Sequence, residues 1–514
     1  MSRGLVTAPH PAAAEAGARA LAAGGSAVDA AIAANAAAGV AMPHMCGIGG
    51  DLFALLDGGD GGRPFAVNAS GPAARRVDPD RLDAAGGVPP HGPAAVTVPG
   101  AVDGWRLMHE RGGRLPWEDL FEAAIELADG GVAMTEKAHE WALAERDVLA
   151  ADRESSAVFL RDGEVPGVGE VTRFPDLARS LETIASQGAR SIYEGELARL
   201  IAARTEVDAD GIEAADLAGY AARSVPLAAA LVGEHELVAV PPNSQGATML
   251  ILLSAMQGES APPGSGQWCE AFLGAKRSAF RVRDEELARE ERLDRGIEPA
   301  EIEALRELGE ASRAPLQSTL EGDTIALAVR DADGATCVLI QSVYFTFGSG
   351  ITVPGTGIVL QNRGAYFATA AGHPNRIGPG RRTLHTLMPA LAYDRGGGLR
   401  AAVGTMGGDG QPQVIAQVLA RHLAGGDGIE AAIAAPRILH GRYMVGEPDD
   451  VVHAEDSYGA AALEAIAAAG HPLRTHPWPS QRMGHACGIA VGVDGAATAA
   501  SDPRSDGVTM AVPA

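Results

Sequence analysis

The stretch GDTIALAVRDADGATCVLIQSVYFTFGSGI (residues 322–351) decides the fold class, because it contains two apolar runs of strand length joined by a turn. The runs cover residues 325–330 and 336–342, and the DADG sequence between them is typical of a tight hairpin turn. The pattern therefore predicts an antiparallel hairpin. Thr324 stands directly after a Gly-Asp pair, at the point where the first of these strands begins.

A threonine at this position has a chemical use if the chain is cut on its N-terminal side. One residue then carries both a hydroxyl nucleophile and an α-amine with a pKa of roughly 7.7–8.0, which can act as a general base without a histidine. On spacing alone a simpler alternative exists, since most Gly-Asp-Thr triplets are turns. The stretch by itself leaves both interpretations of Thr324 open.

Charge and composition exclude several function classes. The 514 residues contain 41 Lys and Arg against 65 Asp and Glu, a formal net charge of −24, which argues against nucleic acid or an anionic membrane as a partner. With 46% hydrophobic and 21% charged residues the chain is expected to fold. We find neither a long apolar run nor a basic region followed by an apolar one at the N-terminus, so a cytoplasmic protein is expected.

The composition changes along the chain. Residues 11–41 are rich in alanine with a Gly-Gly break, which predicts two short helices packed through small side chains. Helical patterns dominate residues 101–260, and strand patterns follow from residue 322 onward. Residues 282–313 are almost continuously charged, which predicts a solvated helix or a mobile arm at the joint. A helix-rich first part is thus expected to meet a sheet-rich second part.

The hairpin stretch resembles the segment of the γ-glutamyltranspeptidase family that contains its autoprocessing site. Five other stretches resemble motifs of that family and occur in the expected order. They are TAPHPAAAEAGARALAAGGSAVDAAIAANAAAGVAMPHMCGIGGD (7–51), VTVPGAVDGW (96–105), TGIVLQNRGAYF (356–367), GRRTLHTLMPA (380–390) and TMGGDGQPQ (405–413). The resemblance runs nearly from end to end.

The resemblance implies an α+β fold, the four-layer αββα sandwich of an N-terminal nucleophile hydrolase, made as one precursor. In such a family the Thr324 hydroxyl attacks the carbonyl of Asp323 and cuts the chain. The products would be a large subunit of residues 1–323, which includes the charged arm, and a small subunit of residues 324–514. Together the two subunits would form one folded unit.

Three further residues are implied in catalysis. Ser342 stands where the family places a threonine whose hydroxyl assists the nucleophile, and a serine can make the same hydrogen bond. Gly407 and Gly408 match a glycine pair whose backbone amides form the oxyanion hole. A helical pattern follows this pair directly, and amides at a helix N-terminus favour negative charge. The alternatives are an ordinary sheet serine and a flexible loop.

The substrate anchors of glutamyl-specific members have all changed. The position of the arginine that holds the substrate α-carboxylate is uncharged, and the positions that hold the α-amine have lost their acidic and amide side chains. The residues now at the anchor positions are Asn68, Tyr344, Arg363, Tyr366, His385 and Thr386. A site that loses charge-assisted hydrogen bonds, worth roughly 1.5–3 kcal/mol each, should lose most of its affinity for a glutamyl group. The pattern resembles the branch with acylase-like and oxamate amidohydrolase-type members.

Each changed anchor has a functional and a structural interpretation. Arg363 could pair with a carboxylate of the substrate, or form an internal salt bridge. Tyr344 and Tyr366 could narrow the pocket. His385 could bind substrate or Tyr344, or be a satisfied core histidine.

We therefore expect a self-cleaving N-terminal threonine amidohydrolase acting on a small amide that is not a γ-glutamyl compound. Two alternatives stay open. One is a true γ-glutamyl hydrolase or transpeptidase acting on glutathione-like substrates with a rebuilt clamp. The other is an unprocessed pseudoenzyme with a binding role. No cofactor or metal is implied, the expected partners are the small-molecule substrate and the two subunits, and a homodimer is left open.

Overall fold

The computed structural model describes residues 4–312, 318–320, 322–443 and 447–513. The helices of this part of the chain are α1 (Pro11–Ala22), α2 (Ala27–Ala41), α3 (Pro79–Ala84), α4 (Ala101–Gly112), α5 (Glu122–Gly130), α6 (Glu136–Ala144), α7 (Arg146–Ala151), α8 (Arg153–Phe159), α9 (Pro175–Gln187), α10 (Ser191–Glu194), α11 (Glu196–Thr205), α12 (Ala214–Ala218), α13 (Gly246–Ala255), α14 (Gly266–Val282), α15 (Pro299–Ala311), α16 (Gln411–Leu419), α17 (Ile429–Ala434) and α18 (Ala460–Ala468).

The strands of the same residues are β1 (Gly4–Ala8), β2 (Asp51–Asp57), β3 (Phe65–Ala69), β4 (Val132–Ala133), β5 (Val171–Thr172), β6 (Arg223–Val225), β7 (Ala228–Val232), β8 (His235–Ala239), β9 (Asp323–Asp331), β10 (Thr336–Tyr344), β11 (Thr352–Val353), β12 (Ile358–Val359), β13 (Ala390–Asp394), β14 (Leu399–Thr405), β15 (Ile438–His440), β16 (Val452–Glu455), β17 (Leu473–His476), β18 (Ala486–Val491), β19 (Ala497–Ser501) and β20 (Val508–Val512).

Two large antiparallel sheets form the centre of the molecule. The first has the order β20-β1-β9-β10-β2-β3-β6 and the second has the order β19-β18-β14-β13-β8-β7. The predicted hairpin is β9 and β10, whose antiparallel pairing joins Thr336 to Arg330 and Gln341 to Ile325. It lies in the middle of the first sheet.

Alternation along β9 explains how the layers form. Ile325 and Leu327 face the cluster that the N-terminal helices cover, whereas Ala326 and Ala328 face the second sheet. Successive side chains of a strand point to opposite faces, so one strand supplies two cores. The layer between the sheets is completed from the second sheet by residues such as Ala402.

Helices cover both outer faces of the sheets. The alanine-rich pair α1 and α2 packs on the first sheet, and α2 is buried over its whole length because small side chains let it approach its neighbours on all sides. Its start is fixed by a capping box between Ser26 and Asp29. Helices α13, α14, α15 and α16 pack beyond the second sheet. The α+β class and the four αββα layers are therefore confirmed.

One expectation about organisation needs correction. The charged residues 282–312 do not form a mobile arm, because α15 packs against α13 and α14 through Ile302 and Leu305; residue 313 lies outside the described residues. The helix-rich chain before residue 323 also supplies six strands, β1–β3 and β6–β8, to the two large sheets. The division into subunits at 323/324 stays a prediction.

Candidate active site

Thr324 is the second residue of β9 and is buried, with 2% of its surface exposed. The Ser342 hydroxyl, on the neighbouring strand, donates a hydrogen bond to the carbonyl oxygen of Asp323 at 2.5 Å. That carbonyl belongs to the peptide bond that precedes Thr324. The Ser342 oxygen in turn accepts from the backbone N–H of Tyr344 at 2.7 Å, so its proton is directed at the Asp323 carbonyl. Thr324, Asp323 and Ser342 are thus brought together.

The neighbouring backbone holds Ser342 in place. Its strand, β10, pairs with β2 so that Ser342 lies opposite Asp51. A side chain at Gly50 is impossible without a shift, since its Cβ would lie 2.3 Å from the Ser342 carbonyl oxygen. The Gly-Ile-Gly-Gly-Asp run (residues 47–51) is therefore a turn whose backbone passes close to Ser342. On the other side, the Thr346 hydroxyl donates to the Asp323 carboxylate.

The Gly407-Gly408 pair lies close to the same peptide. Both glycines have positive φ angles, 125° and 50°, and they lead into a short 3-10 turn and then α16. A Cβ on Gly322 would lie 3.2 Å from the Gly408 Cα, so the segment before Asp323 passes directly over the pair. No residue in the described ranges accepts a hydrogen bond from the N–H of Gly407 or Gly408. These amides are thus available to a ligand.

A cavity of about 560 Å³ opens beside this segment. Two predicted residues, Tyr344 and Tyr366, line it, and their rings meet edge to face with centroids 5.8 Å apart. The rest of its wall includes Phe345, Arg283, Asp409 and Arg442.

Asp409 is the centre of a buried network that the sequence analysis missed. Its carboxylate accepts from the hydroxyl of Tyr366 at 2.6 Å and pairs with Arg283 at 2.9 Å, while the side chain of Gln245 and the backbone N–H of Thr319 donate two further hydrogen bonds. Burial alone would raise the pKa of Asp409, but Arg283 and these donors hold it below its usual value. Asp409 follows Gly407-Gly408 directly, and that position is a signal that could have identified it.

Arg283 was hidden in the charged run 282–313. Only 2% of the residue is exposed, because a short π-helical turn continues α14 and directs the side chain inward. Burial by itself lowers the pKa of Arg283, yet Asp284 and Asp409 outweigh it and raise the pKa well above the ordinary value. Arg283 is charged and paired at the cavity wall.

Arg363 lies behind Tyr344. Its guanidinium carbon is 3.8 Å from the centroid of the Tyr344 ring, and its Nη2 donates to the Thr386 hydroxyl at 3.1 Å. The predicted pair Arg363 and Thr386 is thus in contact with the cavity wall without lining the cavity itself. Burial lowers the pKa of Arg363.

His385 and Asn68 do not reach the cavity. The Nδ1 of His385 accepts from the backbone of Leu387 at 3.3 Å, so its Nε2 carries the proton and donates to Asp51 at 3.0 Å. The amide nitrogen of Asn68 donates to Asn243 and Asp294, both at 2.8 Å. The hypotheses that His385 contacts Tyr344 and that Asn68 contacts substrate are not supported by these contacts, because hydrogen bonds within the core occupy both side chains.

The Asp51–His385 pair is buried below Arg363. Burial raises the pKa of Asp51 to about 7, although hydrogen bonds from Gln361 and Gly71 oppose this change. Burial also lowers the pKa of His385, as does the nearby charge of Arg363.

Within the described ranges, three or more His, Cys, Asp or Glu residues nowhere cluster as a metal site would require. None of the helices described is both long and apolar enough to cross a membrane.

Known proteins are similar to this chain over nearly its whole length. Residues 13–512 match the γ-glutamyltranspeptidase family. The chain is 32% identical to the YwrD glutathione hydrolase-like proenzyme of Bacillus subtilis, over 99% of this chain and 98% of that one. It is 33% identical to the oxamate amidohydrolase proenzyme of Klebsiella pneumoniae, over 98% of each. The structure of cephalosporin acylase from Bacillus halodurans superimposes with a TM-score of 0.90 at 29% identity, over 99% of this chain and 96% of that one.

Proposed function

The chain belongs to the γ-glutamyltranspeptidase family, whose relatives are hydrolases, and we propose that it is a self-cleaving N-terminal threonine amidohydrolase for a small amide that is not a γ-glutamyl compound. The observation that carries the proposal is the hydrogen bond from Ser342 to the carbonyl oxygen of Asp323. It polarises the one carbonyl that a nucleophile at Thr324 must attack. The relatives named as proenzymes support a precursor.

Self-cleavage needs no group beyond these residues and one water. The Thr324 hydroxyl oxygen attacks the Asp323 carbonyl carbon while Ser342 donates to the developing oxyanion. The C–N bond then breaks, the nitrogen takes the hydroxyl proton, and an ester joins Asp323 to the Thr324 oxygen. Water hydrolyses this ester, leaving a carboxylate at Asp323 and a free amine and hydroxyl on Thr324.

The same residue then serves catalysis. Its α-amine removes the hydroxyl proton as Thr324 attacks the substrate carbonyl, and gives that proton to the leaving amine. The Gly407 and Gly408 amides donate to the oxyanion; such donors contribute roughly 100- to 1000-fold in rate. Water attacks the acyl ester, and its proton passes through the amine back to the Thr324 oxygen.

The substrate proposal rests on what surrounds the cavity. Asn68, at the position of the family's carboxylate-binding arginine, has its amide nitrogen engaged by Asn243 and Asp294. Tyr366, at the position of an amine-binding aspartate, donates to Asp409. A glutamyl zwitterion therefore lacks both expected partners, which supports a different acyl group. The oxamate amidohydrolase and acylase names of similar proteins support the same conclusion.

Intact mass on a denaturing column tests the nucleophile. The wild-type protein should give two species in equal amounts, residues 1–323 and 324–514. Thr324→Ser should still cleave because it keeps the hydroxyl, whereas the isosteric Thr324→Val should remain one chain. A wild-type chain that stays intact after long incubation would make the protein a stalled precursor or a pseudoenzyme and would contradict the proposal.

A substrate panel tests the acyl group. Simple short-chain amides and a γ-glutamyl anilide should be compared by kcat/KM with the cleaved enzyme, using Thr324→Val as the blank. The proposal expects a clear preference for the simple amides. A preference for the γ-glutamyl anilide would instead establish a γ-glutamyl hydrolase with a rebuilt clamp.

A further inference from the structure

Arg363 is a buried cation without a carboxylate partner. Only 1% of the residue is exposed, and its one side-chain hydrogen bond among the described residues goes to the Thr386 hydroxyl. Its Nε and Nη1 atoms are buried and have no hydrogen-bond acceptor in the part of the chain that the structure describes. Asp51, a carboxylate whose charge affects the pKa of Arg363, is hydrogen-bonded to His385 and Gln361.

The comparable arginines of the same protein are all paired. Arg437 contacts Asp502 at 2.6 Å, and Arg504 contacts the same carboxylate at 3.0 Å. Arg283 contacts Asp409 at 2.9 Å. A buried charge is normally compensated by an ion pair, because its desolvation is unfavourable. Arg363 departs from this pattern, and a planar guanidinium with free donors is suited to bind a carboxylate.

The ring of Tyr344 covers Arg363 on the side of the cavity. Tyr344 has a φ of 83°, an unfavourable conformation for a bulky residue, at the point where the β9–β10 register shifts. It is held there by the segment before the cleavage point, because it pairs with Asp323 and a Cβ on Gly322 would lie 3.5 Å from its ring.

We propose that Arg363 is the anchor for a carboxylate of the substrate, and that the Tyr344 ring covers this subsite until cleavage after Asp323 frees the segment that holds the ring. This inference rests on the proposed function. Hydrolysis of the Asp323–Thr324 peptide, with one water, turns Asp323 into a chain end that is no longer bonded to Thr324. Tyr344 can then leave its strained conformation and expose the guanidinium.

The position of the subsite identifies the half of the substrate that carries the charge. Gly322 and Asp323 occupy the acyl side of the bond that Thr324 attacks, and both lie beside Tyr344: Asp323 pairs with it across the strands, and a Cβ on Gly322 would lie 3.5 Å from its ring. A ligand that replaces them places its acyl group beside Tyr344 and Arg363. The substrate class is therefore the monoamides of short dicarboxylic acids, in which a carboxylate lies near the amide carbonyl.

Matched substrates test the anchor. The monoamides of the two-, three- and four-carbon dicarboxylic acids are each compared with their methyl esters, which keep the shape and remove the charge. The wild-type enzyme should prefer the best acid over its ester by about 10- to 100-fold in kcat/KM, the range expected for a charge-assisted pair. Arg363→Met should reduce this ratio to near 1, and Arg363→Lys should give an intermediate value.

Arg19→Met is the control, since Arg19 forms an exposed pair with Glu126 and neither residue lines the cavity. It should keep the wild-type ratio. An undiminished preference for the acid in Arg363→Met, or no preference for the acid in the wild-type enzyme, would overturn the assignment.

Binding of malonate tests the cover independently of turnover. Calorimetry should give at least tenfold weaker binding to the intact Thr324→Val chain than to the cleaved enzyme. Tyr344→Gly in the Thr324→Val chain should restore binding, because glycine accepts the positive φ and removes the ring. Equal affinities with and without the ring would overturn the cover. If the wild-type chain fails to cleave, the proposed function fails, whereas binding to the Tyr344→Gly chain still tests Arg363.

Discussion

Two buried arginines on opposite sides of Tyr344 and Tyr366 are in contrasting electrostatic states. Arg283 faces Asp409 and Asp284, which raise its pKa, and the pKa of Asp409 is lowered in return. Arg363 contacts the Tyr344 and Tyr366 rings and the Thr386 hydroxyl, and burial lowers its pKa. Its nearest carboxylate, Asp51, has a pKa raised to about 7.

The contrast distinguishes a structural cation from one available to a ligand. A paired buried cation stabilises the fold mainly because removing it exposes its partner's charge to a dry environment. A buried cation without a carboxylate partner adds no such stability, so its presence calls for another explanation. Ligand binding is such an explanation. Replacing each arginine by methionine should therefore change the free energy of unfolding by different amounts.

The largest effect is expected for Arg283→Met. This change leaves Asp409 and Asp284 buried without their cation, so the free energy of unfolding should fall by about 3–5 kcal/mol. Urea unfolding of the intact Thr324→Val chain measures it without the complication of two subunits. Arg395→Met removes an exposed pair with Glu234 and should change nothing measurable. A loss below about 1 kcal/mol for Arg283→Met would contradict the structural role.

Asp51→Asn should change how stability depends on pH. The folded pKa of Asp51 is about 7, above the model-peptide value of roughly 3.9, so the unfolded chain releases this proton at lower pH. Asp51 therefore makes the protein less stable as pH rises from about 4 to 7. The free energy of unfolding of Asp51→Asn, minus that of the chain that keeps Asp51, should rise by about 2 kcal/mol from pH 5.5 to pH 7.

His385 titrates in the opposite sense, because its pKa is lowered in the folded chain. That contribution increases stability as pH rises to about 6.5. Because His385 contacts Asp51 directly, the measured difference reports the titration of the pair. Urea unfolding at the two pH values gives the result. A difference that does not change with pH would mean that Asp51 is already ionised beside His385 and Arg363.

Tyr366→Phe, next to the Arg283–Asp409 pair, should lower the free energy of unfolding less than Arg283→Met does. The hydroxyl is one of several donors to Asp409, and Arg283 and Gln245 remain, so we expect a loss of about 1.5 kcal/mol in the free energy of unfolding. Tyr393→Phe removes a similar hydroxyl bond, to Asp57, away from the cavity. It should lose similar stability, whereas only the Tyr366 change should also alter kcat/KM. Equal activity in both variants would exclude Tyr366 from substrate binding.

Local pattern was enough to predict the central hairpin, whereas the four layers were predicted from the family resemblance. The alternation of residues 325–330 and the DADG turn depend on neighbours in sequence, and the fold preserves both. The alanine-rich helices were equally predictable, because small side chains without interruption require close packing. The strands β1 and β6–β8 were missed. Strands β1 and β6 pair with strands far away in the sequence, and β7 and β8 lie inside a region dominated by helical patterns.

The site residues that lie in sequence motifs were predictable, whereas those whose role depends on burial were not. Ser342 lies beside the peptide bond that precedes Thr324, but its hydroxyl donates to the Asp323 carbonyl and not to the Thr324 hydroxyl that it was predicted to assist. Arg283 was misjudged because a charged run is usually a solvated surface, and its burial depends on Asp409, far away in the sequence. Likewise, the core hydrogen bonds of His385 arise from tertiary contacts that spacing does not reveal.

The smallest effect on stability is expected for Arg363→Met. The variant loses the contact of the guanidinium with the Tyr344 ring, but it also removes a buried charge that has no carboxylate partner. These changes oppose each other, so the free energy of unfolding of the intact Thr324→Val chain should stay within about 1 kcal/mol of its parent. A loss as large as that of Arg283→Met would show that Arg363 is a structural cation too. If Arg363→Met leaves the free energy of unfolding nearly unchanged and also weakens malonate binding to the Tyr344→Gly chain, then Arg363 binds the ligand, whereas Arg283 stabilises the fold.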